Sequence, residues 1–206
     1  MAVGMDRTEL IRKLREMSGA GMMDCKHALE EAGWDLDKAF TILREKGIAK
    51  AAKRAGRATG QGIVHAYLHS TTPDYPPQLG VLIEVNCETD FVAKNEEFRN
   101  LAKELALQVA GFGANWVTRE DVPDEVLVQE REVYEAKALQ DGKPEKIIPR
   151  IVESQVEDFL KHNVLMEQDY FRDPGRTVQQ FVAEYISKLQ ENITVRRFAR
   201  FNIREN

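Results

Sequence analysis

Between Lys46 and Gly62 the chain reads Lys-Gly-Ile-Ala-Lys-Ala-Ala-Lys-Arg-Ala-Gly-Arg-Ala-Thr-Gly-Gln-Gly, rich in Ala, Gly and basic residues and almost without large apolar side chains. Such a stretch cannot build a core, because it has too little apolar surface to offset the entropy lost on ordering. It divides whatever folds before it from whatever folds after it. We read residues 1–47 as a small module, 48–61 as a basic, partly helical linker, and 62–206 as a larger domain.

The first module is helical. Leu10, Ile11, Leu14 and Met17 recur at helical spacing behind Asp6 and Glu9, which suit a cap and capping box, and Ser18-Gly19 ends the run. A second helix carries Met22, Cys25, Ala28, Leu29 and Ala32 on one stripe and stops at Gly33. A third starts at Asp35, places Leu36, Ala39, Phe40 and Leu43 on one face, and ends before Gly47. Three short amphipathic helices can bury one small shared core.

Beyond the linker the period changes. From Ile63 to His69, Val64, Ala66 and Leu68 alternate with His65, Tyr67 and His69, the pattern of a half-buried strand, and Val81 to Val85 supplies a second. The three prolines between them make a long hairpin loop, for which no function is read. Asn95 caps an amphipathic helix bearing Phe98, Leu101, Ala102, Leu105 and Val109. Two further helices follow, Asp124 to Leu139 and Pro144 to His162, then a short strand at Val164–Gln168. Thr177 caps a helix with Val178, Phe181, Val182, Tyr185, Ile186 and Leu189. A last strand, Ile193 to Ile203, alternates Ile193, Val195, Ala199, Phe201 and Ile203 against Thr194, Arg196, Phe198 and Arg200. The fold class is α+β, with a small, mostly antiparallel sheet packed with helices.

Charge and cysteine usage exclude several functions. With 29 Lys and Arg against 34 Asp and Glu, a net charge of -5, the chain is not built to coat nucleic acid or an anionic membrane. Two isolated cysteines, Cys25 and Cys87, indicate neither a disulfide framework nor a zinc site, which fits a reducing cytoplasm. The start lacks a signal-peptide pattern, no run approaches a membrane span, and either Met1 or Met5 can be the natural start.

Catalytic constellations fail on geometry. His65 and His69 lie about 13 Å apart along a strand, too far to share a metal. Gly19-Ala-Gly21 and Gly56-Arg-Ala-Thr-Gly60 follow no strand and run into no Gly-Lys-Ser or Gly-Lys-Thr, so they read as punctuation rather than phosphate loops. No Ser or Cys nucleophile signature is present. Lys50, Lys53, Arg54 and Arg57 offer a basic patch without interleaved aromatics, which reads as a solvated linker; binding to RNA or a scaffold through it is the alternative function. Arg196, Arg197, Arg200 and Arg204 suit either edge protection or a partner surface.

Two features point outward. Phe91 sits in Asn86-Cys-Glu-Thr-Asp-Phe-Val-Ala-Lys-Asn95, among polar neighbours in the turn from strand to helix; it is either a lid on its own core or an anchor offered to another protein. Met22 and Met23 are adjacent at a helix start and cannot both face one narrow stripe, which leaves one for a partner.

Leu14-Arg-Glu-Met-Ser-Gly-Ala-Gly-Met-Met-Asp-Cys-Lys-His-Ala-Leu29 and Glu84-Val-Asn-Cys-Glu-Thr-Asp-Phe-Val-Ala-Lys94 closely resemble the two signature motifs of the bacterial elongation factor Ts family, and the order of parts agrees from end to end. Ser18 stands where the family usually has Thr. The resemblance implies that the first module is like a ubiquitin-associated domain. It also implies that the chain promotes guanine nucleotide exchange on elongation factor Tu, in its GDP-bound and nucleotide-free states, without covalent chemistry, cofactor or metal. It places Thr89, Asp90, Phe91 and Val92 at the element that disturbs the magnesium and phosphate site of that GTPase. It likewise places Arg15, Met22 and Met23 on the surface by which the module grips it. The longer members carry a second core copy and a coiled-coil insertion, for which this chain has no room. The short form implies a homodimer, with Ile193 to Phe201 and the Phe198 face as the expected pairing strand. Cytoplasmic location, no membrane contact and no direct nucleic-acid contact complete the expectation.

Overall fold

The computed structural model describes residues 6–72 and 74–205, so the choice between Met1 and Met5, and Pro73 of the hairpin loop, lie outside the described residues. The chain divides into two compact units. One comprises Met1–Gly62, Asn86–Leu101 and Gln180–Thr194; the other comprises Ile63–Val85, Ala102–Gln179 and Val195–Asn206. The first therefore joins the N-terminal helices and the basic stretch to two segments distant in sequence, a grouping that spacing cannot reveal.

In the first unit α1 (Arg7–Ser18), α2 (Met22–Glu31) and α3 (Leu36–Ala52) bury Leu14, Cys25, Ala28, Leu29 and Ala39 in one cluster, with Leu10, Ile11, Trp34, Phe40 and Leu43 packed against it. Gly33 and Trp34 both take the left-handed conformation, at φ 64° and 70°, which lets the Trp34 N–H reach back to the Leu29 carbonyl at 2.7 Å. Asp35 then caps α3, its Oδ1 accepting from the Asp37 and Lys38 N–H groups at 3.1 and 3.0 Å.

Three local expectations change. Asp6 occupies the N-cap of α1 but its side chain makes no capping bond, so no capping box forms there. Met17 and Met22, expected on core stripes, are exposed. Gly47 lies inside α3 instead of ending it, because Ala49, Ala51 and Ala52 are strong helix formers and outweigh one glycine.

In the second unit the three-stranded sheet has the order β1 (Gln61–His69), β2 (Leu79–Cys87), β5 (Ile193–Asn202) and is packed against helices. The His69 carbonyl accepts from the Gln78 N–H at 3.0 Å and the Gln78 carbonyl from the Ile203 N–H at 3.1 Å, which sets β2 in the centre with antiparallel neighbours. Val81, Ile83 and Val85 of β2 point into the core. Between β2 and β5 in sequence come the single helical turn α4 (Asp90–Ala93), which belongs to the first unit, then α5 (Glu96–Phe112), whose first turn does too, α6 (Asp124–Gln140) and α7 (Ile148–Asn163). They are followed by a two-stranded ribbon of β3 (Asp169–Tyr170) and β4 (Asp173–Thr177), and by α8 (Val178–Leu189). Helices α6 and α7 share a cluster of Val122, Ala138, Ile148, Val152, Val156, Leu160 and Val164.

The face of β1 is inverted relative to its sequence reading. Ile63, His65 and Tyr67 are half-buried, whereas Val64, Ala66 and Leu68 are exposed. His65 is therefore half-buried; burial, and then the neighbouring Lys103, lower its pKa. In β5 the alternation slips by one where Arg196 and Arg197 are both exposed, the signature of a bulge. Val195 faces in, but beyond the slip Phe198 and Arg200 turn inward and Ala199, Phe201 and Ile203 outward. The strand expected at Val164–Gln168 is an isolated bridge at Val164 followed by a 3-10 turn, Leu165–Glu167. The Asp173-Pro-Gly stretch ahead of α8 starts β4, which pairs antiparallel with β3. Buried Gln108 fixes that ribbon by donating to Gln168 Oε1 and the Asp169 carbonyl and accepting from the Phe171 N–H, at 3.0, 3.1 and 3.0 Å.

Candidate functional site

The segment after β2 turns sharply at Thr89. This residue is extended, at φ -124° and ψ 158°, and its hydroxyl accepts from the Val92 N–H at 3.4 Å, which starts α4. One helical turn has little intrinsic stability. Here it is held from both sides. Behind it, Cys87 Sγ donates to the Thr89 carbonyl at 3.2 Å, and Glu191 accepts from the Glu88 N–H, the Thr89 N–H and the Thr89 hydroxyl at 3.0, 3.0 and 2.5 Å. Ahead of it, Lys94 Nζ donates to Asp90 Oδ2 at 2.6 Å, and Arg99 Nη2 donates to the Lys94 carbonyl at 2.6 Å. The bond from Lys94 holds the Asp90 carboxyl below its usual range.

On this braced turn Phe91 is 81% exposed. The lid reading of Phe91 is therefore wrong for the free chain: the ring covers nothing. Burying a phenylalanine side chain is worth roughly 1.5–3 kcal/mol, and most of that is left unused. Val92 is half-buried beside it, and Phe98, one residue into the core stripe of α5, is fully buried.

Arg15, Met22 and Met23 flank the turn between α1 and α2. Gly19, at φ 64°, ends α1 with its N–H on the Arg15 carbonyl at 2.8 Å. The Ser18 hydroxyl donates to the Leu14 carbonyl at 2.6 Å and accepts from the Ala20 N–H at 3.2 Å, so the serine retains the tie that a threonine hydroxyl would make. Arg15 is exposed, and Met22 and Met23 are both 59% exposed. Both methionines, not one, are free of the core, and Met17 adds a third exposed thioether that its place in the helical stripe had hidden. The two groups of site residues lie on different elements of the same unit.

Both cysteines are buried free thiols. Burial, aided by the charges of Glu191 and Glu88, pushes the Cys87 thiol up to about 11, and burial also raises Cys25. Neither has the lowered pKa of a reactive thiol. The basic stretch is not simply solvated. Arg57 Nη1 lies 3.5 Å from Glu88 Oε1, Arg54 Nη2 donates to Gln190 Oε1 at 2.6 Å, and Asn192 Nδ2 donates to the carbonyls of Ala55 and Arg57 at 3.4 and 2.8 Å. Among the described residues no helix is long and apolar enough to cross a membrane, and no three His, Cys, Asp or Glu side chains gather as a metal site.

The family model for Elongation factor TS matches residues 36–205. Elongation factor Ts of Caldanaerobacter subterraneus subsp. tengcongensis is 54% identical over 193 residues, covering 94% of each chain. That of Moorella thermoacetica is 52% identical over 95% of this chain and 94% of its own, and that of Coprothermobacter proteolyticus 50% identical over 95% and 97%. The likeness runs nearly the whole length on both sides, and the family model spans the turn that carries Phe91. The chain belongs to the elongation factor Ts family, translation elongation factors of the exchange type.

Proposed function

We propose that this chain is a guanine nucleotide exchange factor for elongation factor Tu, binding its GDP-bound and nucleotide-free forms. The observation that carries this reading is a braced helical turn presenting an almost wholly exposed phenylalanine. Ordering a loop on binding costs affinity, and a turn already fixed by Glu191, Cys87 and Lys94 avoids most of that cost. Arg15, Met22 and Met23 supply docking, since methionine adapts to the surface it meets. Thr89, Asp90, Phe91 and Val92 supply the perturbation. The ring enters the GTPase beside its nucleotide, and the displaced backbone spoils the octahedral coordination that magnesium requires. GDP leaves, GTP enters, and the factor is released, with no covalent bond made or broken.

Release of a fluorescent GDP analogue from elongation factor Tu in the presence of magnesium tests this. Substoichiometric chain should accelerate release over many turnovers; release at the uncatalysed rate would overturn the reading. The basic residues of 48–61 take no part as a nucleic-acid site in this proposal, because Arg54 and Arg57 are already engaged. The setting is the cytoplasm, where translation factors work.

We further propose that the chain forms a homodimer through the open face of its sheet, where half-buried Phe198 lines the groove. That face exposes Val64, Leu68, Leu82, Phe201 and Ile203. Glu84 and Arg197, 2.8 Å apart, edge a groove that Val64, Leu82 and Ala199 line. An apolar field carrying one acid and one base is self-complementary under a two-fold axis, so a second copy is the occupant it suits. Light scattering should give twice the 23.5 kDa chain mass at micromolar concentration, and Phe201→Glu should give the single mass with the helical circular dichroism retained. A wild-type chain at the single mass would overturn the dimer.

A further inference from the structure

The proposed exchange element is held by a residue far outside both signature motifs. Glu191 lies in the turn after α8, 102 positions from Thr89 in sequence. Its carboxylate uses both oxygens on one short stretch: Oε2 accepts from the Glu88 and Thr89 N–H groups, each at 3.0 Å, and Oε1 accepts from the Thr89 hydroxyl at 2.5 Å. Three hydrogen bonds to an ionised acceptor are stronger than neutral ones and fix the direction of the peptide units they engage. Those units immediately precede α4, so their orientation sets where the helical turn, and with it Phe91, points.

The same turn is itself anchored. The Asn192 N–H donates to Glu88 Oε1 at 2.6 Å, and the buried Asn192 side chain ties down the carbonyls of Ala55 and Arg57. Glu191 thus does not sway with a mobile loop; it is part of a polar node joining residues 55–57, 88–89 and 190–192.

We propose that Glu191 is the positioning residue of the exchange element, acting through Thr89 to hold Phe91 in its outward pose. This rests on the exchange reading above. A positioning role separates the maximal rate from docking, since Arg15, Met22 and Met23 are untouched by it. With labelled GDP release measured against chain concentration, Glu191→Ala should lower the saturating rate about tenfold and change the half-saturating concentration by less than about threefold. Glu191→Gln keeps the reach and one carbonyl acceptor, and the Thr89 hydroxyl can turn to receive its amide; it should return to within about threefold of wild type. Glu191→Asp keeps the charge but is one methylene short, and should be as slow as Glu191→Ala. This pair decides the matter even if the alanine variant folds poorly.

Combining Glu191→Ala with Phe91→Ala should give release no slower than Phe91→Ala alone, because a residue acting only through the ring has nothing left to position. A wild-type saturating rate for both Glu191→Ala and Glu191→Asp would overturn the proposal. So would a Glu191→Gln variant as slow as the alanine, or a double variant about tenfold below Phe91→Ala. If Phe91→Ala itself releases GDP as fast as wild type, the exchange element is wrongly assigned and the positioning role falls with it. If Phe91→Ala is slow and the Glu191 variants are fast, only the positioning role fails.

Discussion

Phe91→Ala is expected to lower the maximal rate of GDP release from elongation factor Tu by about 100-fold, a loss of roughly 2.7 kcal/mol of transition-state stabilisation, which is the size of an interface hot spot. The same substitution should leave the stability of the free chain within about 0.5 kcal/mol, because a ring that is 81% exposed contributes little to its own core. The two readouts together carry the test. Loss of exchange with an unchanged urea midpoint assigns the ring to the partner; loss of both would make it a structural residue, and loss of neither would remove it from the exchange element.

Phe98→Ala should behave in the opposite way. Seven residues on, this ring is fully buried in the first unit. Truncating a buried phenylalanine removes its transfer free energy and leaves a cavity, together about 3–5 kcal/mol. That is a large share of the ~5–15 kcal/mol by which domains are stable. Equilibrium urea unfolding checks it, and a cost below about 1 kcal/mol would contradict the packing. Two phenylalanines on neighbouring elements therefore divide the labour: one holds the unit together and one faces away from it.

Much of the helical architecture was legible because a 3.6-residue period has only one buried face to report. The stripes through Leu14, through Cys25 and Leu29, and through Phe98 and Leu105 all bury as their spacing implies. Sheet faces were harder to read. In β1 the apolar set Val64, Ala66 and Leu68 looks like the core side, yet Ile63 and Tyr67 occupy it, because both faces of that strand carry apolar residues and period two cannot say which is inside. In β5 a one-residue slip at Arg196 and Arg197 reverses the parity halfway along, so Phe198 and Phe201 exchange the sides assigned to them. Met17 and Met22 stood at apolar positions of short helices whose buried stripe proved narrower than their spacing suggested.

The proposed exchange element was visible for a different reason. Residue chemistry left Phe91 open between lid and anchor; the motif resemblance chose the anchor, and the exposure of the ring agrees with that choice. What spacing could not supply was the brace. The bonds from Glu88 and Thr89 to Glu191 span more than a hundred residues, and no local pattern of charge or hydropathy marks a glutamate that will fold back onto a distant turn. The packing of residues 55–57 onto Asn192 is invisible for the same reason, and it is why a stretch that reads as a solvated linker is held in place.

Coupling between nucleotide and factor is the heart of exchange, and it must be reciprocal: if the chain weakens GDP binding, GDP weakens binding of the chain by the same ratio. The dissociation constant of the wild-type chain for elongation factor Tu, measured calorimetrically with and without saturating GDP and magnesium, reads that coupling directly. A Kd raised about 100-fold by GDP is the expected result. Equal affinities in the two states would contradict an exchange function, however tightly the chain binds.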